Sequence, residues 1–150
     1  MSSNILILNG PNLNMLGTRE VEIYGTDTLA DIETKVRARA EDYDMAIDFR
    51  QSNSEAELVD WIQQARGAFD GLILNAGAYT HTSIAILDAL NMVDMPIIEV
   101  HLSNIFQRES FRRESFISGA ANGLITGFGA TGYLLALEAM AQLIKTGTQK

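Results

Sequence analysis

The 150-residue sequence contains no cysteine, which excludes disulfide bonds and thiolate metal sites. It has no apolar run near the ~20 residues that a membrane-spanning helix needs. Its first residues also lack the basic start and cleavage site of a signal peptide. With a hydrophobic fraction of 47% and a mean hydropathy of +0.04, the composition is that of a globular protein. We therefore expect one cytoplasmic domain over residues 1–150.

Basic residues are scarce, and the net charge is −8, from 11 basic and 19 acidic side chains. Such a surface repels nucleic acid and anionic membranes, so neither partner is expected. None of the three lysines follows a predicted strand, which disfavours a Schiff-base lysine. With two histidines and no cysteine, a dedicated transition-metal site is not expected. Against this background, the cluster of Arg108, Arg112 and Arg113 is informative.

Hydrophobic periodicity predicts strands that alternate with helices. The predicted strands cover residues 4–9, 45–50, 71–74, 96–100 and 123–127. The predicted helices cover 28–40, 54–65, 82–92 and 131–144, with Thr28 and Ser54 as N-caps. This alternation indicates right-handed crossovers and a parallel sheet with helices on both faces. We predict an α/β, three-layer, flavodoxin-like fold with strand order 2-1-3-4-5.

In such a sheet, ligands bind beyond the carboxyl ends of the strands, where the strand order reverses. The loops after strands 1, 3 and 4 should therefore line the site. Those loops contain Asn12, Arg19, Tyr24, Asn75, Tyr79, His81, His101, Ser103, Arg108, Arg112 and Arg113. Each residue also has a structural interpretation, such as ring packing for Tyr24 or an exposed charged face for the arginines. Together they predict an anion-binding site with acid–base groups.

Four separate motifs are spread over nearly the whole chain. The first is LNGPNLNMLGTRE at 8–20, followed by IYG at 23–25. The second is NAGAYTHTS at 75–83. The third is EVHLSN at 99–104 with RESFR at 108–112, and the last is GFG at 127–129 with GY at 132–133. In residues and spacing the four motifs resemble those of type II 3-dehydroquinate dehydratase, and together they are more specific than any one alone.

The resemblance implies a hydro-lyase of the shikimate pathway, in aromatic amino acid biosynthesis. This enzyme reversibly dehydrates 3-dehydroquinate to 3-dehydroshikimate by anti elimination through an enolate, without a metal or organic cofactor. The resemblance further implies a homododecamer built as a tetramer of trimers.

The same resemblance assigns roles to four catalytic residues. Tyr24 would be the base that removes the proton next to the substrate ketone. Arg19 would be the cation that favours the phenolate form of Tyr24. His101 would protonate the departing hydroxyl, and Asn12 would help to hold the enolate through an ordered water. Together these roles supply the base, acid and oxyanion stabiliser that the elimination needs.

The implied substrate-binding residues surround that group. The backbone N–H groups of Leu102 and Ser103 would hold the substrate carboxylate. Asn75, His81 and Arg112 would bind ring hydroxyls. Asp88 would reach the site from a neighbouring subunit and orient the base or its arginine.

Two other interpretations stay open at the sequence level. The chain could be a non-catalytic flavodoxin-like module that binds flavin or an anionic ligand. It could also be an inactive relative with an assembly role, although a structural role alone does not require Tyr24, Arg19 and His101 together. No Gly-x-Gly-x-x-Gly motif follows the first predicted strand and no P-loop motif occurs, so neither a dinucleotide site at that strand nor a P-loop site is expected.

Overall fold

The computed structural model describes residues 2–18 and 20–150. The strands are β1 (Ser3–Asn9), β2 (Met45–Gln51), β3 (Gly71–Asn75), β4 (Ile97–His101) and β5 (Gly123–Thr126). The α-helices are α1 (Val21–Tyr24), α2 (Leu29–Ala40), α3 (Glu55–Ala65), α4 (Ile84–Leu90) and α5 (Thr131–Lys145). Short 3₁₀ helices occupy Leu13–Met15, Glu41–Tyr43, Gly77–His81, Ile105–Gln107 and Ser110–Arg112.

The five strands form one parallel sheet in the order β2-β1-β3-β4-β5. Its two faces are covered by different helices, as the alternation of side chains along β1 illustrates. Ile5 and Ile7 pack in the core beneath α2 and α5, whereas Leu6 and Leu8 pack in the core beneath α3 and α4. All four side chains are fully buried. The predicted three-layer, flavodoxin-like fold is therefore confirmed.

The two predicted N-caps begin their helices as expected. The Thr28 hydroxyl accepts from the Asp31 N–H at 3.1 Å, and the Asp31 carboxylate accepts from the Thr28 N–H at 3.0 Å. Ser54 accepts from the Glu57 N–H at 3.1 Å. Each cap satisfies backbone donors that the first helical turn leaves unpaired.

The third helix is shorter than predicted from residues 82–92. Residues Gly77–His81 form a 3₁₀ turn, and α4 begins only after Ser83. The Ser83 hydroxyl accepts from the Ile86 N–H at 2.9 Å, so Ser83 is the N-cap of α4. The segment between β1 and α2 also contains local helical turns, at Leu13–Met15 and in α1.

Helix α5 packs on the sheet through a face that includes a tyrosine. Tyr133, Ala136, Leu137 and Met140 are buried, and Leu134, Ala141 and Ile144 are half-buried against the same core. Tyr133 can lie in this face because its hydroxyl is hydrogen-bonded inside the protein.

The C-terminal tail packs back on the domain. The Lys150 N–H donates to the Asp94 carbonyl at 3.0 Å, and Lys150 Nζ donates to the Leu90 carbonyl at 2.7 Å. In the described part of the chain, no helix combines the length and apolarity needed to cross a membrane.

Candidate active site

The loops after β1, β3 and β4 meet at the carboxyl edge of the sheet and enclose a cleft of about 110 Å³. Its position, next to the point where strand order reverses, is the one predicted from the sequence. Nine of the predicted site residues line it: Asn12, Tyr24, Asn75, His81, His101, Leu102, Ser103, Arg108 and Arg112. The fold therefore brings side chains from three separate loops into one cleft.

Three other candidates stand apart from the cleft. Asp88 is exposed on α4 and does not line the cleft. Arg113 is exposed, and the Tyr79 hydroxyl donates instead to the Asn53 carbonyl at 2.7 Å. Arg19 lies outside the described residues.

Close contact between the loops after β1 and β3 shapes one wall of the cleft. A Cβ atom on Gly10 would lie 2.3 Å from the Ala76 carbonyl oxygen, so only glycine allows the loops to pass this closely. Asn12 follows with a left-handed backbone, at φ 69°. Its N–H donates to the Asn53 side chain at 3.0 Å. These contacts fix the start of the first loop against the sheet.

Tyr24 lies at the end of α1 and is paired with an arginine. Arg108 Nη1 donates to the Tyr24 hydroxyl oxygen at 2.9 Å and lies 3.4 Å from the Ser103 hydroxyl. The guanidinium carbon is 5.2 Å from the centre of the tyrosine ring. A guanidinium in this position stabilises negative charge on the phenol oxygen. Arg108 is a site residue to which sequence reasoning gave no individual role.

His101 is paired with a fully buried carboxylate. Its Nε2 lies 2.5 Å from Glu99 Oε2. The same carboxylate accepts from the hydroxyls of Ser115, at 2.8 Å, and Ser118. Burial opposes ionisation, but the hydrogen bonds from His101, Ser118 and Ser115 outweigh it and hold the pKa of Glu99 below its ordinary value. An ionised Glu99 fixes the orientation and the tautomer of the imidazole.

His81 lies beside His101, with the two rings stacked at 6.4 Å between centres. Its Nδ1 is 2.7 Å from the Glu114 carbonyl, which only accepts, so Nδ1 carries the hydrogen. Burial is the main cause that lowers the pKa of His81, and this favours the neutral ring. The neutral ring then presents Nε2 as an acceptor. Arg112, which also lines the cleft, donates to Glu109 at 2.7 Å.

Glu99 is the functional residue that sequence reasoning missed most clearly. The sequence does contain a signal, since a charged residue in a central buried strand needs a partner. His101, two residues later on the same face of β4, is that partner. No group of three or more potential ligands that could hold a metal ion occurs within residues 2–18 and 20–150.

Together, the fold and the cleft define a flavodoxin-like α/β protein with acid–base and cationic groups at its topological switch point. Residues 3–141 match the family described as dehydroquinase class II, and the chain belongs to this family. It is 54% identical over 142 residues to 3-dehydroquinate dehydratase 2 of Pseudomonas aeruginosa, covering 95% of this chain and 96% of that protein. It is 56% identical over 144 residues to 3-dehydroquinate dehydratase of Streptomyces avermitilis, covering 95% and 91%.

Solved structures agree with this assignment. The type II dehydroquinase of Propionibacterium acnes superposes with a TM-score of 0.91 at 43% identity, covering 95% of this chain and 98% of that one. The enzyme of Butyrivibrio crossotus gives a TM-score of 0.91 at 40% identity, covering 93% and 97%. The family predicted from the four motifs is confirmed, and the flavodoxin-like binding module is not favoured.

Proposed function

We propose that the chain catalyses the reversible dehydration of 3-dehydroquinate to 3-dehydroshikimate, a lyase step of the shikimate pathway. The observation that carries the proposal is the pairing of two proton-transfer groups in one cleft. Tyr24 is paired with the cation of Arg108, and His101 is paired with the carboxylate of Glu99. Membership of the dehydroquinase family and the names of the relatives support this reaction.

The first step removes a proton from the carbon next to the substrate ketone. Tyr24 is the base in this proposal, because it lines the cleft and its hydroxyl lies beside a guanidinium. Within the described residues, Arg108 places its positive charge 2.9 Å from the Tyr24 hydroxyl oxygen. Arg19 is proposed as a second cation for the same tyrosine. The electron pair of the broken C–H bond moves onto the ketone oxygen and forms an enolate.

The enolate requires hydrogen-bond donors that are already in position. Asn12 is proposed to serve it through an ordered water. Its left-handed backbone and its bond to Asn53 fix where the side chain begins at the edge of the cleft.

The second step breaks the bond between carbon and the leaving hydroxyl. The enolate collapses to a conjugated ketone, and His101 gives a proton to the hydroxyl, which departs as water. Because Nε2 of His101 is bonded to Glu99, Nδ1 is the nitrogen that exchanges the proton. Glu99 stabilises the positive imidazolium before the transfer and keeps the ring in place after it. The reverse reaction uses the same groups in the opposite order.

The remaining residues of the cleft are proposed to bind substrate. The backbone N–H groups of Leu102 and Ser103 hold the carboxylate, and both residues line the cleft directly after His101. Asn75, His81 and Arg112 bind ring hydroxyls. The acceptor nitrogen of neutral His81 and the donors of Arg112 suit this task.

We further propose the assembly that was expected from the sequence, a homododecamer of four trimers in the cytoplasm. The exposed position of Asp88 on α4 supports its contribution to a neighbouring site. Residues 1–150 act as a single catalytic domain, without a metal or organic cofactor, a nucleic acid or a membrane partner. Sedimentation of the purified protein should give a mass near twelve times 16.4 kDa. A monomer would contradict the assembly but not the chemistry.

The reaction is tested by mixing purified protein with 3-dehydroquinate in the presence of a metal chelator. The product is a conjugated enone, so ultraviolet absorbance should rise with time in proportion to the enzyme concentration. No absorbance change at high enzyme concentration would refute the proposed function. A colourless preparation would further separate it from the flavin-binding alternative.

A further inference from the structure

A chain of hydrogen bonds runs beneath the cleft and ends on Asn75. Asn75 Nδ2 donates to the Tyr133 hydroxyl oxygen at 3.0 Å, and the Tyr133 hydroxyl donates to Asn9 Oδ1 at 2.6 Å. Asn9 Nδ2 then donates to the Arg50 carbonyl at 3.0 Å. Asn9 and Tyr133 are fully buried, and Asn75 is 3% exposed. The three polar side chains therefore satisfy one another inside the protein.

The positions of the two asparagines follow from the register of the sheet. Asn9 and Asn75 are the last residues of β1 and β3, and they are paired neighbours across the two strands. Their side chains therefore leave the same face of the sheet, the face that α5 covers. Tyr133, in the first turn of α5, meets both amides there.

The donor and acceptor of every hydrogen bond between Arg50 and Asn75 are fixed by the groups at the two ends of the series. The Arg50 carbonyl can only accept, so Asn9 must present its NH₂ group to Arg50 and its oxygen to Tyr133. The Tyr133 hydroxyl then donates to Asn9 and accepts from Asn75. At the other end, the Gly77 N–H can only donate, and it requires the Asn75 oxygen at 3.2 Å. Both ends dictate the same orientation of the Asn75 amide.

We infer that Tyr133 is a positioning residue, which fixes the donor and acceptor ends of Asn75 toward a hydroxyl group of the bound substrate. This inference rests on the proposed function, because it specifies how one of the proposed binding residues is oriented. A phenylalanine would fill the same core volume but would leave the buried Asn9 oxygen and the Asn75 NH₂ group without this partner. Tyr133→Phe is therefore expected to lower stability as well as to release the Asn75 amide, and KM is the readout that separates the two effects.

The test is a double-mutant cycle with Tyr133→Phe, Asn75→Ala and the double variant. Asn75 is proposed to bind a substrate hydroxyl equally well in the ground state and in the transition state. Weakening this interaction should therefore raise KM and leave kcat nearly constant. Tyr133→Phe should raise KM for 3-dehydroquinate by about three- to tenfold, the loss expected for one weakened neutral hydrogen bond. On the Asn75→Ala background, Tyr133→Phe should leave KM unchanged.

A purely structural role would give a different result. Partial unfolding lowers the active fraction, and hence the apparent kcat, without raising KM. Tyr43→Phe is the matched control, because Tyr43 is half-buried against the same core and precedes β2 at the opposite edge of the sheet. This control should keep the wild-type KM.

The outcomes separate the inference from the proposed function. An active wild-type enzyme whose KM is unaffected by Tyr133→Phe overturns the inference alone. Equal increases in KM on both backgrounds also overturn it, because Tyr133 would then not act through Asn75. An inactive wild-type protein overturns the proposed function, and the inference with it.

Discussion

Replacing Glu99 with glutamine removes the charge that faces His101 while keeping the size of the side chain. The carboxylate accepts from His101, Ser115 and Ser118. The glutamine oxygen can still accept from His101 and Ser115, and the Ser118 hydroxyl can rotate to accept from the new NH₂ group. The geometry of the pair is therefore retained, and the variant tests the charge itself.

The magnitude follows from the kind of bond that is lost. A hydrogen bond to a charged group is worth about 1.5–3 kcal/mol. If Glu99 stabilises the imidazolium of His101 by that amount, kcat should fall by roughly 10- to 150-fold. Steady-state dehydration of 3-dehydroquinate, measured across pH, reports this change. The matched control is Glu138→Gln, because Glu138 is exposed on α5, away from the cleft.

The same variant makes a prediction about stability. Because the pKa of Glu99 is lowered from its ordinary 4.5, its ionisation stabilises the folded state above that pH. That contribution is lost as the pH falls through the folded-state pKa. Thermal midpoints measured from about pH 7 down to about pH 3 should therefore fall less steeply for Glu99→Gln than for the wild type. Unchanged kcat together with an unchanged pH profile would refute the role assigned to Glu99.

Two further predictions concern the walls of the cleft. Arg108→Met should lower kcat by roughly 10- to 150-fold, because it removes the charged donor to Tyr24. Arg113→Met, which changes an exposed arginine outside the cleft, should not lower it, and equal effects would contradict the pairing. Gly10→Ala should destabilise the protein by about 1–3 kcal/mol, because its Cβ would meet the Ala76 carbonyl at 2.3 Å. Calorimetry should show a lower Tm for Gly10→Ala but not for Gly119→Ala, whose added Cβ meets no atom within 4 Å.

The sheet and its helices could be predicted because their signals are local. Apolar runs, caps such as Thr28 and the alternation of strands with helices lie within short stretches of sequence. Strand order and the location of the cleft then follow from general rules for parallel sheets. Most of the proposed site residues could be placed at the cleft for a related reason, since they lie in the loops that follow β1, β3 and β4.

The contacts that give those residues their chemistry could not be predicted in this way. Arg108 and Tyr24 are 84 positions apart, and Tyr133 and Asn9 are 124 apart. Which partners meet depends on the packing of loops and on the rotation of α5. Spacing along the chain does not determine either. Tyr133 is a buried residue of α5 that carries a polar hydroxyl, and hydrophobic periodicity alone does not place such a residue in the core.

The central claim is that Tyr24 is the base that starts the elimination. The direct measurement compares enone formation from 3-dehydroquinate by the wild type and by Tyr24→Phe, with Tm recorded for both. Phenylalanine keeps the ring that packs against the core but cannot accept a proton. The variant should fold with nearly the same Tm and lose most of its turnover. A folded Tyr24→Phe protein with wild-type kcat would contradict the account.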